Sequence, residues 1–289
     1  MLNILVAPET LDNKAVRLAQ HIVKRLKAEK KEYSVYFSTE LTDISENSKY
    51  LIDNGEKDFV IIGSDIIIHT FLNSIKELSK IRLGIIPTSK QDDFASSLEI
   101  SSNVNSALEN ILRDKTESID YLICNDKVVL NNILIGATAE IVEAYNNMKL
   151  RNPIGDFFVR MKHSSNFEGC DLIIDAQNLK HQNLQIYELS IANAGYSKGK
   201  NISPLCNLKD GLFNLNFSVF ANTKEKKKHI SLMNKSEHIY EESTKQYWLN
   251  SVKIKSPEHK IKASLDGKIY TLDALDVTIV EKGLKVFKS

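Results

Sequence analysis

The chain has 289 residues, of which 42% are hydrophobic and 26% are charged. A chain of this length can bury the cores of two domains, and this composition excludes a disordered or fibrous protein. The formal net charge of +1 excludes a global attraction to nucleic acid, so we expect no nucleic acid partner.

The cysteines and the N-terminus also exclude several classes. Cys124, Cys170 and Cys206 stand far apart and form no CxxC pair, and the seven histidines show no HExxH or other paired spacing. These patterns argue against a disulfide framework and against a zinc site. The N-terminus lacks the pattern of a signal peptide, and no apolar run reaches membrane-spanning length. We therefore expect a cytoplasmic protein, with peripheral membrane contact as an open alternative.

The first part of the chain alternates predicted strands with predicted helices. Short apolar runs indicate strands, and apolar residues at helical spacing indicate helices. The predicted strands are residues 2–8, 33–40, 58–64 and 81–87, and the longer predicted helices are residues 13–31, 42–55, 67–80 and 102–114. This alternation predicts a doubly wound parallel α/β domain of the nucleotide-binding type over residues 1–118.

The pattern changes at about Ile119. One helical segment, residues 139–162, is interrupted by Asn152-Pro153, and short candidate strands then dominate. These strands are residues 170–177, 184–194, 211–220, 247–256, 260–273 and 275–287. They predict a β-sandwich domain over residues 119–289, whose last residues could pack back on the first domain. Edge strands of that sandwich could pair across a two-fold axis, so a homodimer is compatible with the sequence.

Four stretches carry a resemblance to a known family. They are "GSDII" (Gly63–Ile67), "PTSKQDDFA" (Pro87–Ala95), "PLCNLKDGLF" (Pro204–Phe213) and "LDGK" (Leu265–Lys268). In order and spacing they resemble the GGDGT turn, the P-x-G-T-x-N-D-F-A loop, the later Asp-Gly segment and the Asp-Gly-Glu turn of the diacylglycerol kinase catalytic family. These are bacterial lipid kinases related to sphingosine kinases, and the resemblance covers nearly the whole chain.

The resemblance implies phosphorylation of a lipid hydroxyl that depends on ATP and Mg²⁺. Asp266 matches the aspartate that serves the family as catalytic base, and Asp210 matches the second Asp-Gly, where a role at the metal competes with an ordinary turn. The residues that the resemblance assigns to the nucleotide are Gly63, Ser64, Asp65, Pro87, Ser89, Lys90 and Asp93.

Several residues depart from the family pattern. Ser64, Ile66 and Ile67 replace a glycine, a glycine and a threonine of the phosphate turn. Glycine permits positive φ and a close approach of phosphate to the backbone, whereas a left-handed conformation costs other residues roughly 1–2 kcal/mol. The turn is therefore either strained or rearranged, and a rearranged turn no longer cradles phosphate.

The other motifs depart as well. Ser89 and Lys90 replace Gly-Thr, and Asp92 replaces an asparagine; Lys90 is either a phosphate contact or a solvated loop lysine. In the "APETL" stretch, only Pro8 remains of an Asn-Pro-x-Ser-Gly turn. Lys268 stands in place of the glutamate beside Asp266, which predicts a poorer base.

Two hypotheses follow from the sequence. The first is an ATP- and Mg²⁺-dependent lipid kinase, and the second is a weak or inactive relative that binds a lipid or nucleotide or regulates a partner. A third, the NAD kinase family, shares the GGDGT turn, but the later Asp-Gly segment and "LDGK" argue against it. The basic run "KEKKKH" (Lys224–His229) is either a solvated face or a contact with anionic lipid.

Overall fold

A computed structural model describes residues 1–7, 14–89, 92–148, 153–177, 179–220, 222–257 and 259–288. The chain divides into two compact units, residues 1–121 with 281–289, and residues 122–280. Among the described helices, none combines the length and the apolar composition needed to cross a bilayer.

The first unit alternates strands and helices along the chain. They are β1 (Leu2–Val6), α1 (Lys14–Ala28), β2 (Tyr33–Phe37), α2 (Leu41–Asp53), β3 (Asp58–Ile62), α3 (Asp65–Leu72), β4 (Arg82–Ile86), α4 (Asp93–Ser97) and α5 (Val104–Leu112). The strands form a parallel sheet in the order β2-β1-β3-β4. The predicted parallel α/β fold is confirmed.

The burial of each segment explains its pattern of apolar residues. The interior strands β1 and β3 are almost entirely buried, and so they are continuous apolar runs. Strand β2 is half-buried, because it lies at the edge of the sheet. In α1, Ala15, Ala19, Ile22 and Leu26 form the buried stripe, at the three- and four-residue spacing of one helix face.

The second unit is mainly antiparallel sheet. Its elements are β5 (Thr116–Cys124), β6 (Lys127–Val129), β7 (Asn132–Gly136), α6 (Ala137–Asn146), α7 (Pro153–Asn166), β8 (Cys170–Ala176), β9 (Leu179–Ile186), β10 (Glu188–Ala192), β11 (Tyr196–Ser197), β12 (Lys200–Asn201), β13 (Phe213–Ser218), α8 (Thr223–Met233), β14 (Thr244–Leu249), β15 (Ser251–Lys255), β16 (Ile261–Leu265), β17 (Lys268–Leu272) and β18 (Ala274–Phe287). Strand β5 begins and β18 ends within the first unit, where Lys285 and Val286 run parallel to Arg82 and Leu83 of β4.

Two sheets of the second unit share one core. One has the order β14-β13-β10-β7-β16-β17, and the other contains β18-β15-β8-β9. Buried residues of both sheets, such as Ile135 and Leu189 in the first and Leu172 and Val252 in the second, belong to a single apolar cluster. Sheets that bury their inner faces together form a sandwich, which confirms the predicted second fold.

The structure divides three of the predicted strands. The segment 184–194 contains a change of sheet, because β9 pairs with β8 whereas β10 pairs with β7 and β13. The segment 247–256 contains a change of sheet as well, because β14 pairs with β13 whereas β15 pairs with β18. The segment 260–273 is a hairpin of β16 and β17 that turns at Asp266. All three segments have the pattern of single strands in the sequence, since alternation does not reveal which sheet a residue faces.

A buried histidine of α8 lies between two carboxylates. His229 Nε2 is 2.5 Å from Glu188 Oε1, and Nδ1 is 2.7 Å from Glu241 Oε2. His229 is fully buried, and burial by itself opposes the charged imidazole. The two carboxylates outweigh burial and raise the pKa of His229. The basic run therefore lies on a helix that carries exposed lysines together with one residue of a buried ionic cluster.

The histidine cluster predicts how stability depends on pH. A raised pKa contributes stability that is fully present below the unfolded value of about 6.5 and is lost as pH rises through the folded value. We expect the free energy of unfolding, measured by urea denaturation, to fall as pH rises above about 6.5 and through the raised pKa of His229. His229→Gln should remove this fall and destabilise the protein by about 3–5 kcal/mol near pH 6, because it leaves two carboxylates without their cation.

The matched control is His21→Gln. His21 is exposed and bonds Asn105, so this variant should keep the fall of stability with pH. A fall that persists in His229→Gln would contradict the assignment.

Candidate functional site

The turn after β3 is rearranged rather than strained. None of Gly63, Ser64, Ile66 and Ile67 has positive φ. Helix α3 begins directly at Asp65, with Ser64 as its extended N-cap residue, φ −80° and ψ 176°. The alternative of a strained turn is therefore wrong. The isoleucines lie within the first helical turn, whose backbone conformation is sterically allowed for L-residues.

Ile67 occupies the space above this turn. A Cβ added at Gly63 would come within 3.1 Å of Ile67 Cβ and Cγ1, so the side chain of Ile67 packs directly on the glycine. Ile67 is 4% exposed. The space that a glycine turn leaves for a phosphate oxygen is therefore filled by a core side chain at this position.

Asp65 binds the chain itself. Its carboxylate accepts hydrogen bonds from the N–H groups of Asp93 and Phe94, each at 2.8 Å, and so it caps the start of α4. Burial, followed by the nearby charge of Asp93, raises the pKa of Asp65 well above its usual range, although the two N–H groups oppose the shift. The nucleotide residues Asp65 and Asp93 are thus brought together, as members of one helix cap.

The loop after β4 binds its own aspartate in a similar way. Asp92 Oδ2 accepts from the N–H groups of Thr88, at 2.7 Å, and Ser89, at 2.9 Å. Asp92 is 5% exposed. Pro87 precedes these donors along the chain, and Lys90 lies outside the described residues. The N–H of Ser89, a predicted nucleotide residue, is therefore occupied by a carboxylate.

These contacts test whether the residues fit a bound nucleotide. Backbone N–H groups are what a phosphate loop offers to phosphate oxygens. Four of them, on Thr88, Ser89, Asp93 and Phe94, bind the carboxylates of Asp92 and Asp65. A phosphate would have to displace one of these carboxyl groups from its N–H donors, so this arrangement does not fit ATP bound in the family's way.

Asp266 is likewise a receiver of backbone hydrogen bonds. It lies at the turn between β16 and β17 with φ +48°, followed by Gly267 at φ +86°. Its carboxylate accepts from the N–H groups of Leu130 at 2.8 Å, Asn131 at 2.7 Å and Asn132 at 3.3 Å. Asp266 is 5% exposed. The predicted catalytic base is thus bound into the start of β7 within the second unit.

Lys268 lies near an aromatic ring. Its Nζ is 5.6 Å from the centre of the Tyr270 ring, and Lys127 Nζ is 5.5 Å from the same centre. Burial, with the charges of Asp266 and Asp126, raises the pKa of Tyr270 to about 12. Two ammonium groups and two carboxylates therefore lie near the Tyr270 ring. One of the ammonium groups belongs to Lys268, the position at which the resemblance expects a glutamate.

Asp210, the predicted metal residue, is exposed at a turn. Its Oδ1 accepts from the N–H of Leu212 at 3.1 Å, and Gly211 has φ +72°. This is the geometry of an ordinary Asx turn. Within the described part of the chain, no group of three or more His, Cys, Asp or Glu side chains is arranged to hold a metal ion.

The second unit contains a cavity of about 290 Å³. Its apolar wall includes Ile135 of β7, Leu172 of β8 and Ile261 of β16. All three residues belong to the core that the two sheets share. Its polar lining includes Glu140, which bonds Lys262 at 2.9 Å. The sequence could not indicate this cavity, because its walls come from segments far apart in the chain.

Comparison with protein families identifies the first part of the chain. Residues 2–124 match the family described as "Diacylglycerol kinase catalytic domain". A diacylglycerol kinase of Staphylococcus carnosus is 23% identical over 87% of this chain and 83% of that protein. One of Staphylococcus haemolyticus is 27% identical over 64% of this chain and 58% of that protein. The matched lengths thus run from little more than half to four fifths of these relatives.

Two solved structures share the fold. A crystal structure of a diacylglycerol kinase from Bacillus anthracis str. Sterne has a TM-score of 0.76 at 14% identity, covering 100% of this chain and 96% of that one. An NAD kinase from Archaeoglobus fulgidus, solved in complex with ATP, has a TM-score of 0.53 at 14% identity, covering 100% and 94%. At these identities the likeness concerns the fold alone.

The two Asp-Gly turns give a matched test of the role of Asp266. We expect Asp266→Asn to lower the free energy of unfolding by about 2 kcal/mol. The two carboxylate oxygens accept from three backbone N–H groups, and the variant replaces one of these oxygens with an NH₂ group, which cannot accept. Asp210→Asn should change it by less than about 0.5 kcal/mol, since that turn is exposed. Urea denaturation of both variants measures the difference, and equal effects would contradict the structural role of Asp266.

Proposed function

Because residues 2–124 match the diacylglycerol kinase catalytic domain family, we propose that the chain binds a diacylglycerol-like lipid and that its ATP-dependent phosphorylation of a lipid hydroxyl is impaired. The proposal combines the ancestry of the fold with the chemistry of this chain's own residues. It favours a binding or regulatory relative over an efficient kinase.

One observation carries the proposal. The N–H groups of Thr88 and Ser89 bind the carboxylate of Asp92, and those of Asp93 and Phe94 bind Asp65. Hydrogen bonds to a charged acceptor contribute about 1.5–3 kcal/mol each, so displacement of even one carboxylate is costly. With 1.4 kcal/mol equal to about tenfold in affinity, the exchange weakens nucleotide binding by one or more orders of magnitude.

Electrostatics act in the same direction. Asp92 and Asp93 lie in the same loop region as Asp65, and negative charge in this region disfavours the approach of a polyphosphate. In phosphoryl transfer, ATP with Mg²⁺ supplies the transferred group and neutralises its charge, while the protein positions the reactants. The described residues do not fit that complex, and so no transfer step is assigned to them.

The residue expected to activate the lipid hydroxyl also supports an impaired phosphorylation. A general base must reach the hydroxyl whose proton it takes. Asp266 already accepts three backbone hydrogen bonds and is 5% exposed, and Lys268 replaces the second carboxylate of the family turn. Asp266 therefore stabilises the turn, and its carboxylate oxygens are already occupied by backbone N–H groups.

The lipid part of the proposal rests on the cavity of the second unit. Its volume of about 290 Å³ lies at the lower end of small-molecule pockets. An apolar wall and a polar lining suit an amphipathic molecule, such as a diacylglycerol that inserts one acyl chain. Exposed lysines of α8, Lys224 and Lys227, are candidates for peripheral contact with anionic lipid.

An active lipid kinase remains the second candidate. Asp65 and Asp266 are retained from the family, and a relative of the same fold, the NAD kinase of Archaeoglobus fulgidus, was solved with ATP. In that case the loop aspartates would have to release their N–H groups when ATP and Mg²⁺ bind, and Asp266 would act as base.

Nucleotide titration separates the two candidates. We expect the wild-type protein to bind ATP with Mg²⁺ more weakly than a Kd of about 1 mM, near 4 kcal/mol. Asp92→Asn combined with Ile66→Gly and Ile67→Thr should strengthen binding at least about tenfold, because it removes a charge, releases a donor and restores the glycine and the threonine of the family turn. Isothermal titration calorimetry measures both.

The matched control is Asp43→Asn. Asp43 also accepts backbone N–H groups, those of Thr39 and Glu40, at the start of a different helix, so its change should leave ATP binding unaltered. Wild-type binding below about 1 mM, with transfer of phosphate to dioctanoylglycerol, would overturn the proposal in favour of an active kinase. No gain in the combined variant would contradict the account of the loop.

The lipid part has its own test. We expect dioctanoylglycerol to bind the wild-type protein and Ser256→Trp to weaken that binding at least about tenfold, because Ser256 is a half-buried residue of the cavity lining. Ser251→Trp is the control, since Ser251 is exposed on β15 outside the lining. Calorimetry with the monomeric lipid measures all three, and equal affinities would place the lipid elsewhere.

A further inference from the structure

Strand β2 forms the outer edge of the parallel sheet. Among the described residues it pairs with β1 and with no other strand. At its start the N–H of Leu2 donates to the carbonyl of Glu32, and just after its end the N–H of Ser38 donates to the carbonyl of Val6, each at 3.0 Å. These two bonds fix which residues of β2 face β1.

The outward-facing residues follow from this register. Backbone groups of successive residues point to opposite sides of a strand. Since residues 32 and 38 face β1, so do Ser34 and Tyr36. Tyr33, Val35 and Phe37 therefore direct their N–H and C=O groups away from the sheet.

The composition of this edge lacks the usual protection. Exposed edges are commonly blunted by charged residues or proline, and β2, with the sequence YSVYF, has neither. Its outward-facing residues are two aromatics and one β-branched residue, which pair well across strands. Phe37 is 56% exposed, so the side chain at the end of the strand has a large uncovered apolar area.

We propose that two copies of this chain pair through β2, antiparallel across a two-fold axis centred on Val35. This register places Val35 opposite Val35 of the second copy and Tyr33 opposite Phe37 of the second copy. All three pairs are then of the hydrogen-bonded kind, because their N–H and C=O groups already point outward. The strand is self-complementary, as a two-fold interface requires.

Charges beside the strand favour the same orientation. The exposed Lys30, Lys31 and Glu32 precede β2, and the exposed Glu40 follows it. An antiparallel copy centred on Val35 places Lys30 opposite Glu40 of the second copy, whereas an in-register parallel copy would place Lys30 opposite Lys30. The proposal concerns the first unit and is independent of lipid or nucleotide binding.

The short length of β2 decides the protein concentrations at which the dimer should be tested. Five residues at the edge bury less area than a standard interface of about 800 Å² per partner, so we expect a weak dimer. Sedimentation velocity of the full chain from about 1 to 100 μM should show a monomer that converts to dimer as concentration rises. A wild-type protein that is monomeric throughout would overturn the proposal.

Two variants act on the edge without touching its bonds to β1. Val35→Pro removes the outward N–H, and proline is tolerated on an edge strand where that N–H faces solvent. Phe37→Lys places a charge at an exposed position opposite Tyr33. Both should remain monomeric at the highest concentration while circular dichroism shows an intact fold. Dimerisation retained by either folded variant would overturn the proposal.

A cross-link tests the register directly. Hydrogen-bonded antiparallel pairs have Cα atoms about 5.5 Å apart, within the range that a disulfide spans. Val35→Cys should therefore give a covalent dimer on oxidation. Ser34→Cys is the control, since Ser34 would lie opposite Tyr36 of the second copy and should not cross-link. Cross-linking of Ser34→Cys in place of Val35→Cys would overturn this register.

Discussion

Backbone N–H groups at the start of a helix or a strand need an acceptor, and here aspartate carboxylates of the same chain supply it. Asp65 binds the start of α4, Asp92 binds the loop before it, and Asp266 binds the residues that lead into β7. A buried N–H without a partner is destabilising by about 1–3 kcal/mol, so each carboxylate stabilises its loop. The conformations of the loops around Asp65, Asp92 and Asp266 depend on this internal pairing.

The same pairing limits what those loops can bind. A loop that awaits a phosphate keeps its donors open to solvent, whereas a loop that has bound a carboxylate is complete without a ligand. Ile67 adds a steric element, because its side chain packs on Gly63 where a phosphate turn would leave space. Hydrogen bonding and packing are therefore the grounds on which we propose weak nucleotide binding in the first unit.

The second unit shows a different use of charged groups. His229 is buried between Glu188 and Glu241, where removal of one member leaves the others uncompensated. This cluster anchors α8 to β10, while the lysines on the other side of α8 remain exposed. The cavity near β7, β8 and β16 leaves the same unit with room for an amphipathic ligand.

The sequence by itself determined the class of both folds, because the alternation of apolar runs with amphipathic helices, followed by short strands, reflects local burial. It also indicated the family that residues 2–124 match, since the motifs around Gly63 and Pro87 keep their order and spacing. It did not decide whether the turn at Ile66 is strained or rearranged, nor that Asp92 and His229 bind partners within the fold. Only the tertiary structure decided these points, because each depends on atoms that packing brings together from separate parts of the chain, and a local pattern does not encode such a contact.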